Sequence, residues 1–596
     1  MAVDIETYKQ KAQHAIESVF RSEYHNSLGI PMPEVKMLLP DDDNYITGQY
    51  YILINETWQI HLNFGKLPIS FKEFEDEVKV LTRHEIEHYM CCPFDVITHL
   101  RMLKTIIDVY KKEFSHLGID IQHICGSIAN QAADIIVDTK NYQRNPQETL
   151  SSEINWIKKG ADIRFCPRHC KLMFLTKEAL WGKSLEINET DTELLEVVKH
   201  LAEVFSMNGV DDKHLFLGKT EEYARAFFKL FEKDIRNPQN QSQQGSQPQQ
   251  GAQSQNSQPQ QGTQSQNSQS QQGEQLQQTD QLQNGQSQQE GLPQHEAGLP
   301  KDGNENGSAF VFSDPDKVKE AITALAEETE VQEFSDILSA AGIKGMTESE
   351  KQKLWFTIQG ANMIPIEDYA NSGNKETYTF PSIWHIGDPI GELDLMLSMM
   401  TSPKVLPGVT TKKWEQSTRD SHGTEKKHRD LLLVLDTSGS MKSVLNKSDN
   451  MHQAVLAAFG IISYLESVNS KVALIEFSDT VGKKVNWTRN YDEIRESLLV
   501  NGQGGTSFPL YQIKNIIEES NSELITVLIT DGDLSNIQES YNFFRDYLSE
   551  GNKFHLFLLG NSRFSDSFNR LKDIGAKVYH GITADDFCNE VLSELT

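Results

Sequence analysis

The chain has no long apolar run, few cysteines and a shortage of positive charge. No stretch reaches the ~20 apolar residues that a helix needs to cross a bilayer, and the mean hydropathy is -0.50. Residues 1–20 mix polar and charged side chains without an apolar core, so the expectation is a protein with neither signal peptide nor membrane span. The six cysteines, at 91, 92, 125, 166, 170 and 588, show no framework spacing. That argues against a disulfide scaffold and for reduced thiols in a cytoplasmic protein. Lys and Arg number 56 against 85 Asp and Glu, a formal charge of -29. Binding to a phosphate backbone or an anionic membrane needs cationic surface, so neither nucleic acid nor membrane is an expected partner. The phosphate-binding pattern GxxxxGK[ST] is absent as well, and the glycine-rich loop 502–507 has no lysine to complete a phosphate cradle.

What is present divides the chain into four parts. At 596 residues it is long enough for about three or four domains. Residues 1–236 read as a mostly helical α+β domain. Tyr8, Ala12, Ala15, Ile16, Val19 and Phe20 recur near helical spacing. Short strands are expected at 49–55 and 58–63, and helices at 71–90, 94–114, 119–142, 190–206 and 220–235. Residues 237–308 are Gln, Ser, Asn and Gly with scattered Pro, and GAQSQNSQPQQ at Gly251 nearly repeats as GTQSQNSQSQQ at Gly262. Such a tract cannot bury enough apolar surface to offset chain entropy, so it reads as a disordered linker. A flexible coil of about 70 residues spans roughly 45 Å root-mean-square. Residues 309–427 read as a helical connector, in which His385 and Asp388 are local turn and cap residues. Residues 428–596 alternate strand and helix, the pattern of a doubly wound parallel sheet.

Two sets of residues carry chemistry. The first is His84-Glu85-Ile86-Glu87-His88, an HExxH motif near the end of a predicted helix. Positions i and i+4 share a helix face, so both imidazoles can meet one ion, and neutral imidazole suits zinc. Glu85 is then placed to take a proton from a water held by the metal, as the general base of peptide hydrolysis. The helical stretch 130–138 adds Asp134 and Asp138, two carboxylates at i and i+4. One can bind the metal while the other orients a ligating histidine; Asp95 is a further candidate. Cys166-Pro167-Arg168-His169-Cys170 offers too few ligands for a closed site and reads as reduced, partly buried cysteines.

The second set begins with the apolar run ending in Asp436-Thr437-Ser438-Gly439-Ser440. It reads as a buried parallel strand followed by a polar turn. Asp436, Ser438 and Ser440 are hard oxygen ligands of the kind Mg²⁺ accepts. Two later loops offer Thr506 and Asp531, and each of the five sits where the crevice of an open α/β sheet binds ligands.

These five positions resemble the von Willebrand factor A (VWA) domain and its metal-ion-dependent adhesion site. The resemblance covers roughly the last 170 residues, and it implies a Mg²⁺ with an open position that a partner's acidic residue fills. The whole chain resembles zincin-like metallopeptidase proteins that carry HExxH, an Asn-x-Ala-Ala-Asp helix, a Gln/Ser-rich linker and a C-terminal VWA-like domain. That likeness implies a zincin-like N-terminal domain. It implies Asp134 as third zinc ligand after His84 and His88, with Asp138 as outer partner or alternative ligand. The chain departs from the commonest form of that family, because no further histidine follows HExxH within 89–95; His99 is the next. Two functions follow: a zinc peptidase with a partner-binding VWA domain, or a VWA adaptor whose zincin domain is a scaffold. For the adaptor, the resemblance implies a MoxR-type AAA+ ATPase as partner.

Overall fold

Apolar residues at helical spacing decide most of the first half of the chain. The computed structural model describes residues 5–24, 34–38, 50–54, 58–63, 70–159, 163–236, 315–343, 346–364, 376–383, 393–394, 412–418, 428–520, 522–532, 534, 536–560 and 566–595. The tract 237–308, and His385 with Asp388, lie outside them. By contact the chain divides into two units. The first takes the described residues of Met1–Phe94, Thr105–Asp120 and Ser127–Val311, and the second those of Asp95–Lys104, Ile121–Gly126 and Phe312–Thr596.

In the first unit, α1 (Ile5–Val19) buries Tyr8, Ala12, Ala15, Ile16 and Val19 and packs on α2 (Phe71–Met90). Ser70 caps α2 by accepting from the Glu73 amide, which satisfies one of the helix's otherwise unpaired N–H groups. Three strands precede α2: β1 (Glu34–Leu38), β2 (Tyr50–Ile54) and β3 (Trp58–Asn63). Their order is β1-β3-β2, with β3 parallel to β1 and antiparallel to β2. Then come α3 (Val96–Val109) and α4 (Ile121–Arg144), which belong to this unit from Thr105 and from Ser127 onwards, followed by α5 (Pro146–Lys159), α6 (Arg168–Trp181), α7 (Thr192–Phe205) and α8 (Phe216–Arg236). Strand β1 and helices α5 and α6 are additions to the sequence reading. Helix α6 hides its periodicity because it is buried on several sides, polar Thr176 and Lys177 included.

The second unit opens with α9 (Pro315–Glu328), α10 (Val331–Ala340) and α11 (Glu348–Asn362). The connector is not helical alone. Strands β4 (Glu376–Ile383), β5 (Leu393–Asp394) and β6 (Lys412–Thr418) form an antiparallel sheet of order β4-β6-β5.

The main sheet begins with β7 (Asp430–Asp436), in which Leu431–Leu435 are fully buried. It continues through α12 (Asn450–Ser467), β8 (Val472–Phe477), β9 (Val481–Thr488), α13 (Tyr491–Leu498), α14 (Leu510–Glu518), β10 (Leu524–Thr530), α15 (Tyr541–Ser549), β11 (Lys553–Leu558), α16 (Asp566–Asp573), β12 (Lys577–His580) and α17 (Ala584–Leu595). The strand order is β12-β11-β10-β7-β8-β9. All neighbours are parallel except β9, which runs antiparallel to β8. The expected all-parallel sheet is corrected there. β9 is an edge strand whose exposed Lys483 and Lys484 interrupt any apolar run and protect the open edge. The order reverses between β7 and β10, which opens a crevice at their carboxyl ends.

Helix α12 is buried on nearly every face, with α11 and α17 both packed on it. The crossing with α11 is close. A Cβ on Gly360 would sit 2.8 Å from the Phe459 carbonyl carbon and 2.9 Å from the Gly460 nitrogen, while Phe356 packs on Phe459 with ring centres 5.4 Å apart. Gly360→Ala is therefore expected to destabilise this unit by about 1–3 kcal/mol, the usual range for overpacking, read as a lower denaturation midpoint. Gly460→Ala should cost less, because its methyl meets the side-chain sulfurs of Cys588 and Met363, which can turn aside. Equal midpoints for wild type and Gly360→Ala would contradict the close crossing.

Candidate metal centres

Helix α2 presents His84 and His88 one turn apart, and α4 brings Asp134 against them. The distances are 3.1 Å between the two Nε2 atoms, 3.2 Å from His88 Nε2 to Asp134 Oδ1 and 3.6 Å from His84 Nε2 to the same oxygen. A tetrahedral zinc site with bonds of about 2.0–2.1 Å requires ligand separations of about 3.3 Å, and this triangle brackets that value. Among the described residues it is the one group of three or more His, Cys, Asp or Glu placed to hold an ion.

The protons make the fit more specific. His88 Nδ1 lies 2.8 Å from the Cys92 carbonyl oxygen, which only accepts, so Nδ1 is the donor. His84 Nδ1 lies 2.7 Å from Asp138 Oδ1 and donates to that carboxylate. In both neutral rings Nε2 is left with a lone pair. Asp134 Oδ1 is buried without a hydrogen-bond partner. Two lone pairs and a carboxylate oxygen thus converge with no proton between them, an arrangement that needs a cation. Without a metal, the cation is a proton. Burial opposes the His84 imidazolium, but Asp138 and Asp134 outweigh it and push this ring up to about 10.

Asp138 does not face the triangle. Its Oδ1 holds His84 and its Oδ2 accepts from Lys177 Nζ, which makes it the outer partner rather than a ligand. Burial works against its charge, yet Lys177 and His84 hold it well below the usual carboxylate range. Lys177, on α6, is only 2% exposed and also donates to Glu153 of α5 at 3.1 Å. Glu85 is buried beside the ligands. Burial pushes its carboxyl above the usual range, against the pull of His84 and His88. On another face of α2, Glu87 accepts from Tyr24 at 2.9 Å and from Arg144 of α4. The pair of buried Glu87 and exposed Arg144 ties α2 to α4.

Asp95 as an alternative ligand is corrected, and the cysteine cluster keeps its reading as reduced, partly buried thiols. Asp95 accepts from the Thr98 amide at 2.8 Å, so its carboxylate caps α3. His169 of the Cys166–Cys170 cluster is held by Asp234 at 2.8 Å, and none of the six cysteines forms a disulfide. Sequence reasoning missed Lys177, Glu153, Tyr24 and Arg144. The signal for Lys177 was a lone lysine in the apolar stretch Leu172–Leu180.

The second centre lies at the carboxyl end of β7. Asp436 is fully buried; its Oδ1 accepts from the Ser438 amide at 2.8 Å and its Oδ2 from the Thr530 hydroxyl at 2.6 Å. The hydroxyl oxygens of Ser438 and Ser440 are 3.1 Å apart; Ser438 is buried and Ser440 exposed. Burial raises the Asp436 carboxyl, Thr530 and Ser438 pull it down, and the charge of Asp531 adds to the rise. Asp531 is the first residue after β10, across the crevice. The loop carrying Thr506 is joined to the first turn through backbone bonds, Gly439 to Gly504 (2.9 Å) and Gln503 to Thr437 (2.7 Å). A Cβ on Gly502 would lie 2.2 Å from the Ser438 carbonyl oxygen, so this approach requires glycine. Thr530, which fixes Asp436, was not foreseen.

Lys177→Met removes one partner of a buried carboxylate that orients a ligand. The expected result is zinc affinity lower by about 10–100-fold, read by competition with a chelator. Affinity equal to wild type in a folded variant would show that Asp138 needs no clamp.

Comparison with known proteins places only the C-terminal part. No curated protein matches the chain. The von Willebrand factor type A domain family matches residues 431–534. Among solved structures, an aerotolerance-related membrane protein from Bacteroides fragilis NCTC 9343 is similar at 14% identity, covering 28% of this chain and 98% of that one with a TM-score of 0.23. The conserved hypothetical protein BatB from Bacteroides thetaiotaomicron gives the same values. The vWF domain of the type V pili tip protein Mfa5 from Porphyromonas gingivalis is 10% identical, covering 28% of this chain and 96% of that one, with a TM-score of 0.23. Among the described residues no helix is long and apolar enough to cross a membrane. The chain carries a VWA domain over residues 431–534, on a sheet that is mixed rather than wholly parallel.

Proposed function

We propose that the protein is a zinc-dependent peptidase whose VWA domain binds a protein partner through Mg²⁺. The observation that carries the first half is the meeting of two Nε2 lone pairs and a buried carboxylate oxygen, with the protons held on the outer side of both rings. His84, His88 and Asp134 would hold zinc, and Asp138 would fix the tautomer of His84. Zinc, when bound, supplies Lewis acidity and brings the pKa of a water towards neutrality. Glu85 adjoins the ligands in sequence and is buried, which pushes its carboxyl above the usual range and favours its taking a proton and returning it. His84 remains 21% exposed, and that exposure gives a substrate a way in. The zincin-like fold belongs to this proposal, resting on the HExxH and Ala-Ala-Asp motifs.

For the second half, Asp436, Ser438, Ser440, Thr506 and Asp531 would hold Mg²⁺, with exposed Ser440 marking the side open to a partner's carboxylate. A MoxR-type AAA+ ATPase is the partner we propose, and the cytoplasm the compartment. If the first centre holds no metal, the same VWA site makes the chain an adaptor with the N-terminal unit as scaffold.

Elemental analysis tests the first centre directly. Wild type is expected to hold near-stoichiometric zinc and His84→Ala none. Glu85→Gln should keep the zinc and lose at least about 10²-fold in hydrolysis, the usual contribution of a general base. Zinc retained in His84→Ala, or hydrolysis surviving in Glu85→Gln, would remove those roles.

Replacing Ser438 and Ser440 together by Ala is expected to abolish Mg²⁺-dependent capture of the ATPase without lowering the melting temperature. Capture unchanged by the double substitution, or by chelation of Mg²⁺, would dismiss the adhesion site.

A further inference from the structure

A groove of ≈ 470 Å³ runs between α2 and α5 in the first unit. Its α2 wall includes Glu73, Glu77, Val80 and Leu81. With His84 and His88 these residues fall at i, i+4, i+7, i+8, i+11 and i+15 of one helix, a single stripe. The groove therefore lies on the face that bears the ligands and stops about one turn, roughly 5–6 Å, before His84. The α5 wall includes Glu148 and Trp156. Trp156 is 44% exposed although its ring stacks on Phe174 with centres 5.4 Å apart. It is a fixed aromatic surface turned to solvent.

We propose that this groove seats a lysine or arginine side chain of the segment to be cleaved, which makes the substrate class peptides with a basic residue near the scissile bond. The inference rests on the peptidase reading. The walls have two chemistries, and a basic side chain has the same two. Val80, Leu81 and the face of Trp156 suit an aliphatic stem, and an indole face also attracts a cation. Four carboxylates, those of Glu73, Asp76, Glu77 and Glu148, line the groove with no Lys or Arg among its lining residues. Arg83 sits behind Glu148 at 2.5 Å, but its other donors are engaged bidentately by Glu23 at 2.7–3.0 Å. An acidic side chain would meet repulsion on both walls. The volume falls within the range of sites that bury small ligands, ample for one long side chain. An extended chain advances about 3.3 Å per residue. A residue seated beside Leu81 therefore lies roughly two residues from a bond held at the ligands.

The test separates recognition from chemistry. Full-length Glu85→Gln protein is titrated with a fluorescent decapeptide of Ala, Ser and Gly bearing one central Arg, and with its twin bearing Glu. Anisotropy is expected to show at least tenfold tighter binding of the Arg peptide. Glu73→Gln and Glu77→Gln should each cut that preference by about two- to fivefold, as expected for partly exposed ion pairs. Trp156→Ala should weaken the Arg peptide without strengthening the Glu peptide. Equal affinities, no binding of either peptide, or a preference untouched by the three substitutions would overturn the proposal. Preferential binding by a zinc-loaded wild type that never cleaves the Arg peptide would keep the groove and reject the peptidase reading.

Discussion

A metal donor is useful only if its lone pair points inward, and in both candidate centres that direction is set by a hydrogen bond on the donor's far side. Asp138 and the Cys92 carbonyl hold the outer nitrogens of His84 and His88. The Ser438 amide and Thr530 hydroxyl hold the two oxygens of Asp436. None of these partners faces the ion site, yet without them the inner atoms would turn or take up a proton. Orientation before binding is what a metal site requires of its outer partners, and it explains why buried polar groups gather around both centres.

That arrangement has an energetic cost, which the first centre meets with buried ion pairs. Asp138, Glu153 and Lys177 lie in the interior, where an unpaired charge is expensive. Removing one member of such a pair typically destabilises by about 3–5 kcal/mol, whereas well-packed apolar residues in place of the whole set are often neutral or stabilising. The set is therefore a poor device for stability and a good one for holding a carboxylate in one orientation. Glu87 with Arg144 and Tyr24 works similarly between helices. It joins α2 to α4, so the two histidines and Asp134 share one rigid frame.

The parts of each centre that sequence spacing encodes were legible; the parts supplied by tertiary approach were not. HExxH puts two imidazoles on one face by helical geometry alone, and Asp134 with Asp138 follow the same rule one helix later. What spacing could not divide was labour between those two carboxylates. Only packing turns Asp138 towards Lys177 and leaves Asp134 Oδ1 bare. Lys177 itself sits in a helix whose periodicity is blurred by burial on several sides. In the VWA sheet the apolar runs of β7, β8 and β10 are buried throughout and read plainly as strands. β9 escaped because an edge strand needs few apolar residues and carries lysines instead. Thr530 escaped because nothing in sequence says that the last residue of β10 faces the last residue of β7, 94 positions away.

The register of the sheet supplies that missing link. β7 and β10 run parallel with Ile529 beside Leu435, so the next pair along is Thr530 beside Asp436, and the hydroxyl reaches the carboxylate across one strand spacing. The following residue of the β10 strand, Asp531, then emerges at the same end of the sheet as Ser438 and Ser440. The strand order reverses between these two strands, and the loop 502–506 closes on the first turn backbone to backbone. A slip of one residue between β7 and β10 would turn Thr530 to the opposite side of the sheet. Oδ2 of the fully buried Asp436 carboxylate would then lose its partner, and only Oδ1 would keep one. The same pairing that buries the core of this sheet thus positions its candidate ion site.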